Sequence, residues 1–351
     1  MTPLLPATAA TAHIERDTVV CMDALEALRR MDDESVNCIV TSPPYFGLRD
    51  YGIAGQIGLE DTPAAYVERL RVLFSEARRV LRDDGVLWLN IGDSYNSNRN
   101  NNQGTGLDEL REWAKQAKNI KGVPAPGLGE KQLLGIPWRV AFALQDDGWI
   151  LRSDVIWAKP NPMPESVTDR PTKSHEYVFL FSRQPRYWYD ADAIKESCVD
   201  GDPSPPRGSE GVGDNKNSGR RKQDEVGKRT YVGFNDRWDN RQEPLTHRNA
   251  RTVWTIATQP NSLAHFAMMP PELARRCILA GCPRGGVVLD PFFGGGTTGI
   301  EAHKLGRHYI GFEINPVYVT LATNRLRLGD ETTKAIERGD PYTMPLFEEA
   351  I

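Results

Sequence analysis

The chain has 351 residues, 39% hydrophobic and 26% charged, with 31 glycines, 25 prolines and a formal net charge of −4. This is ordinary globular usage for about two domains' worth of chain, and apolar runs such as Val36 to Val40 and Val86 to Ile91 stop far short of the roughly 18 to 20 residues of a membrane span, which excludes a transmembrane protein. The acidic balance argues against a protein that coats nucleic acid indiscriminately and leaves open a local basic patch.

Residues 1–17 are expected to form a flexible leader. Met1 to Ala12 has no basic region ahead of it, so it does not read as a secretion signal, and a cytoplasmic location follows. Thr18 to Cys21 is a β-branched run, Ala24 to Met31 a short helix, and Val36 to Thr41 a buried strand closed by Ser42-Pro43-Pro44. Tyr66, Leu70, Leu73, Phe74, Ala77 and Leu81 recur at helical spacing from Pro63 to Leu81, and Asp83-Asp84-Gly85 turns the chain into strand Val86 to Ile91. This β-α-β order predicts a parallel sheet covered by helices.

Residues 93–131 lose periodicity in a run of Asn, Gly, Gln and Lys and read as a mobile loop. Strands Trp149 to Trp157 and Glu176 to Phe181, joined through Lys159-Pro160-Asn161-Pro162-Met163-Pro164, are expected to form an antiparallel edge. The composition then shifts to Gly, Pro, Ser, Asn and charge, with ten Lys and Arg against five Asp and Glu between Lys216 and Arg251. Regular structure resumes with helix Pro271 to Ala280, strand Val287 to Asp290, a glycine turn, helix Thr298 to Leu305, strand Tyr309 to Glu313 and a helix from Pro316 to Leu328. The five cysteines, at 21, 38, 198, 277 and 282, are scattered without a C-x-x-C pair, and the six histidines have no ligand spacing, so neither a disulfide framework nor a metal site is expected.

Two constellations carry chemistry. Val287 to Asp290 runs into Pro291-Phe292-Phe293-Gly294-Gly295-Gly296-Thr297-Thr298, where glycines let the backbone approach a ligand, and Glu313 ends the following strand, placed to accept hydrogen bonds from ribose hydroxyls. No Gly-Lys-Ser/Thr follows, so the turn is not a P-loop. The second is Thr41-Ser42-Pro43-Pro44-Tyr45: the prolines stiffen the turn, the Ser42 hydroxyl and Pro43 carbonyl can accept from an amine, and Tyr45 offers a face for a planar base.

Together these two motifs resemble the signatures of permuted β-class amino-group DNA methyltransferases, most closely the cytosine-N4 type. The resemblance covers about Thr18 to Trp188 and Asn249 to Leu328. It implies a Rossmann-like methyltransferase fold of the α/β class, a mostly parallel doubly wound sheet with an antiparallel edge, circularly permuted motif order, and a loop-rich target-recognition insert. On this division residues 18–196 are the catalytic half, 197–250 the target-recognition region, 251–330 the cofactor-binding half and 331–351 a tail. The implied cofactor is S-adenosyl-L-methionine, held by Asp23, Thr41, His265, Ala267, Asp290, Phe292, Gly294, Gly296, Thr297, Thr298 and Glu313. Asp23 is also a natural helix N-cap. Ser42, Pro43, Pro44 and Tyr45 are the implied catalytic turn, with Phe46 beside it. Trp157 and Lys159 match a segment on the target-base side, Trp157 reading equally as core, and Arg220, Arg221, Lys222, Lys228 and Arg229 are the expected phosphate contacts.

The implied activity is methylation of the N4 amine of a cytosine flipped out of duplex DNA, in a restriction-modification or epigenetic role, with adenine N6 as the alternative. Double-stranded DNA is the implied partner, with room for a homodimer and a cognate restriction endonuclease and none for a membrane. Cytosine C5 chemistry lacks its thiolate, because no cysteine adjoins Pro43-Pro44. Methylation of RNA or of a protein glutamine, a nicotinamide-dependent oxidoreductase built on the glycine turn, and a non-catalytic nucleic-acid-binding module stay open as rival readings.

Overall fold

A computed structural model of the chain describes residues 14–96, 118–119, 127–198, 247–258 and 269–338. Its elements are β1 (Thr18–Cys21), α1 (Ala24–Arg29), β2 (Val36–Thr41), β3 (Arg49–Asp50), α2 (Pro63–Val80), β4 (Leu81–Ile91), β5 (Lys118–Asn119), α3 (Ile136–Asp146), β6 (Ile150–Ala158), β7 (His175–Ser182), β8 (Glu196–Ser197), β9 (His247–Arg248), β10 (Val253–Thr255), α4 (Pro271–Gly281), β11 (Val287–Asp290), α5 (Thr297–Lys304), β12 (His308–Glu313) and α6 (Pro316–Arg338). The chain divides into two compact units, one of Met1–Asp190 with Arg251–Ile351 and one of Ala191–Ala250. In the smaller unit a 3-10 turn at Asp192–Ile194 leads into an antiparallel pairing of β8 with β9.

The larger unit is built on an eight-stranded sheet of order β1-β12-β11-β2-β4-β7-β6-β10. Every pairing in it is parallel except the two made by β7. From β11 the chain winds outward to β12, and from β2 it winds the opposite way to β4. The sheet therefore changes winding direction between β11 and β2, where an open α/β sheet leaves a crevice at its carboxyl edge.

Alternation along the strands makes both faces apolar. Val36, Ile39, Leu87, Leu89, Val287, Leu289, Ile310 and Phe312 pack with α1, α2 and α3 in one core, to which Tyr66, Leu70, Leu73, Phe74 and Ala77 of α2 contribute fully buried side chains. Each of the large ones contributes about 1.5 to 3 kcal/mol relative to exposure. The other face carries Cys38, Val40, Val86, Trp88 and Val288, all buried, with Leu273, Ala274, Cys277 and Ile278 of α4. No helix among the described residues is long and apolar enough to cross a membrane.

Four features differ from the sequence reading. The turn expected at Asp83-Asp84-Gly85 is a bulge inside β4: Val36 pairs with Leu81 and Cys38 with Val86, so the extra residues swing out while the strand continues. The β6–β7 pair is antiparallel as expected, but β10 adds in parallel outside β6 and takes the edge. Helix α3 has no counterpart in the sequence reading; its start at Gly135 lacks a side-chain cap of its own, and the Asp93 carboxylate from the end of β4 serves instead, accepting from Gly135 N–H (3.1 Å) and Ile136 N–H (3.0 Å). Helix α6 continues to Arg338, beyond the expected end at Leu328.

Candidate active site

The sheet brings the expected site residues among those described to one edge. Asp23, Glu313, Asp290, Ser42 and Lys159 follow the carboxyl ends of β1, β12, β11, β2 and β6, or close those strands themselves. Because β7 runs the other way, its amino end, with His175 and Glu176, reaches the same edge.

At the change of winding direction, β2 and β11 are tied by a buried knot. Thr41 Oγ1 donates to Asp290 Oδ1 at 2.6 Å across 249 residues of sequence, Thr298 Oγ1 donates to Oδ2 at 2.7 Å, and Phe292 N–H donates to Oδ1 at 3.0 Å. Burial pushes the Asp290 carboxyl up to about 6, against the pull of those hydrogen bonds. Three of the residues expected to hold a cofactor, Thr41, Asp290 and Thr298, thus bond to one another, and Thr297 is buried beside them.

Gly294 and Gly296 adopt φ of 50° and 81°, the left-handed region that favours glycine, and this bends the backbone from β11 into α5. The bend brings Gly294 N–H to Glu313 Oε2 (2.9 Å), while Asn315 N–H donates to Oε1 (2.8 Å). Burial, helped by the Asp290 charge, pushes the Glu313 carboxyl up to about 7 although backbone donors at Asn315, Gly294 and Ile314 oppose it. Phe292 is half-buried against the core. Met22 N–H donates to Glu313 O (3.1 Å), which sets Asp23 on the strand tip next to Glu313; Asp23 Oδ1 caps α1 through Leu25 N–H (3.0 Å) and Glu26 N–H (3.1 Å).

The chain after the proline turn also reaches this half of the edge. The ring of Tyr51 meets that of Tyr318 edge-on at 6.2 Å. Buried Gln56 braces the segment, accepting from Tyr51 N–H (2.7 Å) and donating to Arg49 O (3.0 Å). Nothing in the sequence reading singled out Tyr51 or Gln56.

On the other half, Ser42 Oγ donates to Tyr45 Oη at 3.4 Å, and Tyr45 Oη donates to Glu176 Oε2 at 2.5 Å. Asn90 Nδ2 donates to both Tyr45 Oη and Glu176 Oε2, each at 2.8 Å, and Lys159 Nζ pairs with Glu176 Oε1. The Lys159 ammonium also lies over the Trp157 ring, 4.3 Å from its centroid. Tyr66 Oη donates to Pro44 O (2.8 Å), which secures the proline turn to α2. Burial and the neighbouring Glu176 charge push the Tyr45 hydroxyl well up, so it keeps its proton. The Tyr45 ring packs on Gly92, where a Cβ would come within 2.6 Å of ring atom Cε2. Nearby, Lys173 Nζ donates to Asp93 O, and burial lowers the pKa of this ammonium.

Trp157 is 4% exposed, and its indole N–H donates to Ile256 O at 2.8 Å, so its place is in the sheet beneath Lys159. Phe46, expected beside Tyr45 at the base pocket, instead packs in the core with its ring 5.6 Å from that of Tyr66. His265 and Ala267 and the basic residues Arg220, Arg221, Lys222, Lys228 and Arg229 lie outside the described residues. Glu176, Asn90 and Gly92 were missed by sequence reasoning; the available signal was a carboxylate at the tip of the otherwise apolar strand Tyr177 to Phe181.

Known proteins share both sequence and fold with this chain. The N6/N4 DNA methylase family profile matches residues 36–324. The Type II methyltransferase M.Cfr9I of Citrobacter freundii is 47% identical over 310 residues, covering 88% of this chain and 87% of the relative. M.SmaI of Serratia marcescens, also a Type II methyltransferase, is 44% identical over 308 residues, covering 88% of this chain and 90% of the relative. Among solved structures, the PvuII DNA methyltransferase, described as cytosine-N4-specific, aligns with a TM-score of 0.58 at 18% identity, over 94% of this chain and 95% of that one. TTHA0409 of Thermus thermophilus, solved in complex with S-adenosyl-L-methionine, aligns with a TM-score of 0.53 at 22% identity, over 89% and 93% of the two chains. The matched span includes the glycine turn, Glu313 and the proline turn, and the protein belongs to the N6/N4 DNA methylase family.

Proposed function

We propose that the protein transfers a methyl group from S-adenosyl-L-methionine to the exocyclic N4 amine of a cytosine flipped out of duplex DNA, as the modification partner of a Type II restriction endonuclease. The observation that carries the choice of amine is Ser42: a hydroxyl, not an amide or carboxylate, stands at the head of the proline turn and gives its proton to Tyr45. The Type II designation of the relatives supports the pairing with an endonuclease.

The residues fit such a donor. Glu313 and Asp23 stand on adjacent strand tips beside a glycine turn whose backbone can approach a nucleoside, and two carboxylates near this end, Asp290 and Glu313, favour a cationic ligand. When bound, S-adenosyl-L-methionine supplies a methyl group activated by its sulfonium. The protein's part is orientation. The lone pair of an exocyclic amine is delocalised into the ring, and acceptors for its hydrogens, Ser42 Oγ and the Pro43 carbonyl, favour a pyramidal nitrogen with a directed lone pair. Tyr45 offers its ring to the unstacked base, offsetting part of the few kcal/mol that flipping costs. Cytosine C5 chemistry finds no thiolate: Cys38, in the middle of β2, is buried, and burial pushes its thiol well up.

Nucleoside mass spectrometry of duplex DNA incubated with the protein and S-adenosyl-L-methionine tests the reading. N4-methylcytosine is the expected product. N6-methyladenine in its place overturns the assignment of the amine, and DNA without any methylated amine overturns the activity.

A further inference from the structure

We propose that Glu176, paired with Lys159, is a positioning residue that fixes the direction of the hydrogen-bond chain from Ser42 through Tyr45, so that Ser42 Oγ turns its lone pairs toward the incoming amine. This rests on the methyl-transfer reading above and adds to it a residue outside both recognised motifs.

A hydroxyl has one proton to give, and the chain settles where each goes. The Glu176 carboxylate, as the anionic partner of Lys159, can only accept, and it takes the Tyr45 proton at 2.5 Å. Tyr45 Oη then accepts, from Ser42 at 3.4 Å and from Asn90 Nδ2 at 2.8 Å. With its proton committed to Tyr45, Ser42 presents only acceptor capacity to the cleft, which an amine with two N–H groups requires. If the far end of the chain carried a donor, Tyr45 would turn its proton to Ser42, and the Ser42 proton would face the amine hydrogens.

Two further observations support a chain held in one direction. Glu176 and Lys159 are only 13% and 18% exposed at their side chains, so the ion pair sits where charge is poorly screened and each partner holds the other in place. Asn90 spends its amide nitrogen on both Tyr45 and Glu176, and its Oδ1 is buried without a hydrogen-bond partner among the described residues. An amide whose acceptor is left unmet while its donors are both used is turned by the acceptors around it.

The experiment is a double-mutant cycle on the full chain with duplex DNA: wild type, Ser42→Ala, Glu176→Gln and the double variant, each measured for kcat, KM for DNA and affinity for S-adenosyl-L-methionine. The amide introduced by Glu176→Gln can donate to Tyr45 and release the direction of the chain. Glu176→Gln is expected to lower kcat about 10- to 100-fold, the cost of a misdirected charge-assisted bond, with cofactor affinity within about twofold of wild type. In the Ser42→Ala background it is expected to lower kcat no further, because the atom it directs is gone. Tyr45→Phe keeps the ring on Gly92 and breaks the chain at its middle, so it is expected to behave like Glu176→Gln and serves in its place if that variant loses cofactor binding. Losses that multiply in the double variant, or a Glu176→Gln enzyme with wild-type kcat, overturn the positioning role alone. A Ser42→Ala enzyme with wild-type kcat overturns Ser42 as the amine's acceptor, and this role with it, whereas a wild-type protein that methylates no amine of duplex DNA overturns the functional reading itself.

Discussion

Replacing Glu313 by glutamine tests the cofactor side of the cleft through its response to pH. Burial, with Asp290 nearby, pushes this carboxyl from 4.5 up to about 7, so in the cofactor-free protein near neutrality it is half protonated. Ribose hydroxyls donate more strongly to the ionised form, both of whose oxygens accept, so binding below this value is coupled to release of a proton. The affinity for S-adenosyl-L-methionine is therefore full above about pH 7 and lost as pH falls through it, by about tenfold between pH 8 and pH 6, or about 1.4 kcal/mol. The amide of Glu313→Gln cannot ionise; the affinity of this variant is expected to be weaker at pH 8 by about 1.5 to 3 kcal/mol, the worth of hydrogen bonds to a charged group, and flat across the same range. Titration calorimetry at pH 6, 7 and 8 in two buffers of unlike ionisation enthalpy reads the affinity and the proton release together. An Asp290→Asn variant, run beside it, is expected to retain a pH slope but to move it to lower pH, because the Asp290 charge helps raise Glu313, and so to separate the two carboxylates. A wild-type affinity that does not change with pH and releases no proton would refute the reasoning, as would an unaltered slope in Glu313→Gln.

Two further outcomes follow from the buried contacts. Asp290 binds its proton more tightly in the fold, at about 6, than at its ordinary 3.8, so its contribution to stability is full below about pH 4 and is lost as pH rises to about 6. That shift corresponds to about 3 kcal/mol at most, and Asp290→Asn is expected to remove this part of the slope; denaturant midpoints of the two proteins that stay parallel from pH 4 to 8 would contradict it. At Gly92, where an added Cβ lies 2.6 Å from the Tyr45 ring, Ala must displace the ring and weaken the Tyr45–Glu176 bond. Gly92→Ala is expected to lose about 1 to 3 kcal/mol of stability and at least about tenfold in kcat, read by thermal unfolding and methylation rates; a variant with wild-type kcat would show that the ring has room to move.

Much of the fold was legible because the informative signals were local. The strands at Thr18, Val36, Val287 and Tyr309 and the long helix from Pro63 announce themselves through continuous or periodic apolar patterns, and the structure forms each of them. Elements fixed by remote partners were not legible. Helix α3 begins at a glycine capped by a carboxylate 42 residues upstream, and β10 is three residues long and gains its definition from pairing with β6. The bulge in β4 has the same origin: Asp83-Asp84-Gly85 is turn chemistry by composition, but Val36 holds Leu81 in the sheet.

The site divides along the same line. Sequence alone determined the chemical types, a stiff proline turn headed by a hydroxyl and a glycine turn followed by a carboxylate, because each of these is a run of adjacent residues whose backbone geometry is dictated locally. Only the tertiary structure decided that Thr41 and Asp290 bind each other, that Trp157 is covered while Lys159 lies over it, and that Glu176 completes the Ser42 and Tyr45 chain. The Thr41–Asp290 and Tyr45–Glu176 contacts join parts of the sheet edge that are distant in the chain, and the direction of a hydrogen bond or the burial of a side chain is a property of the assembled edge, which no stretch of sequence contains.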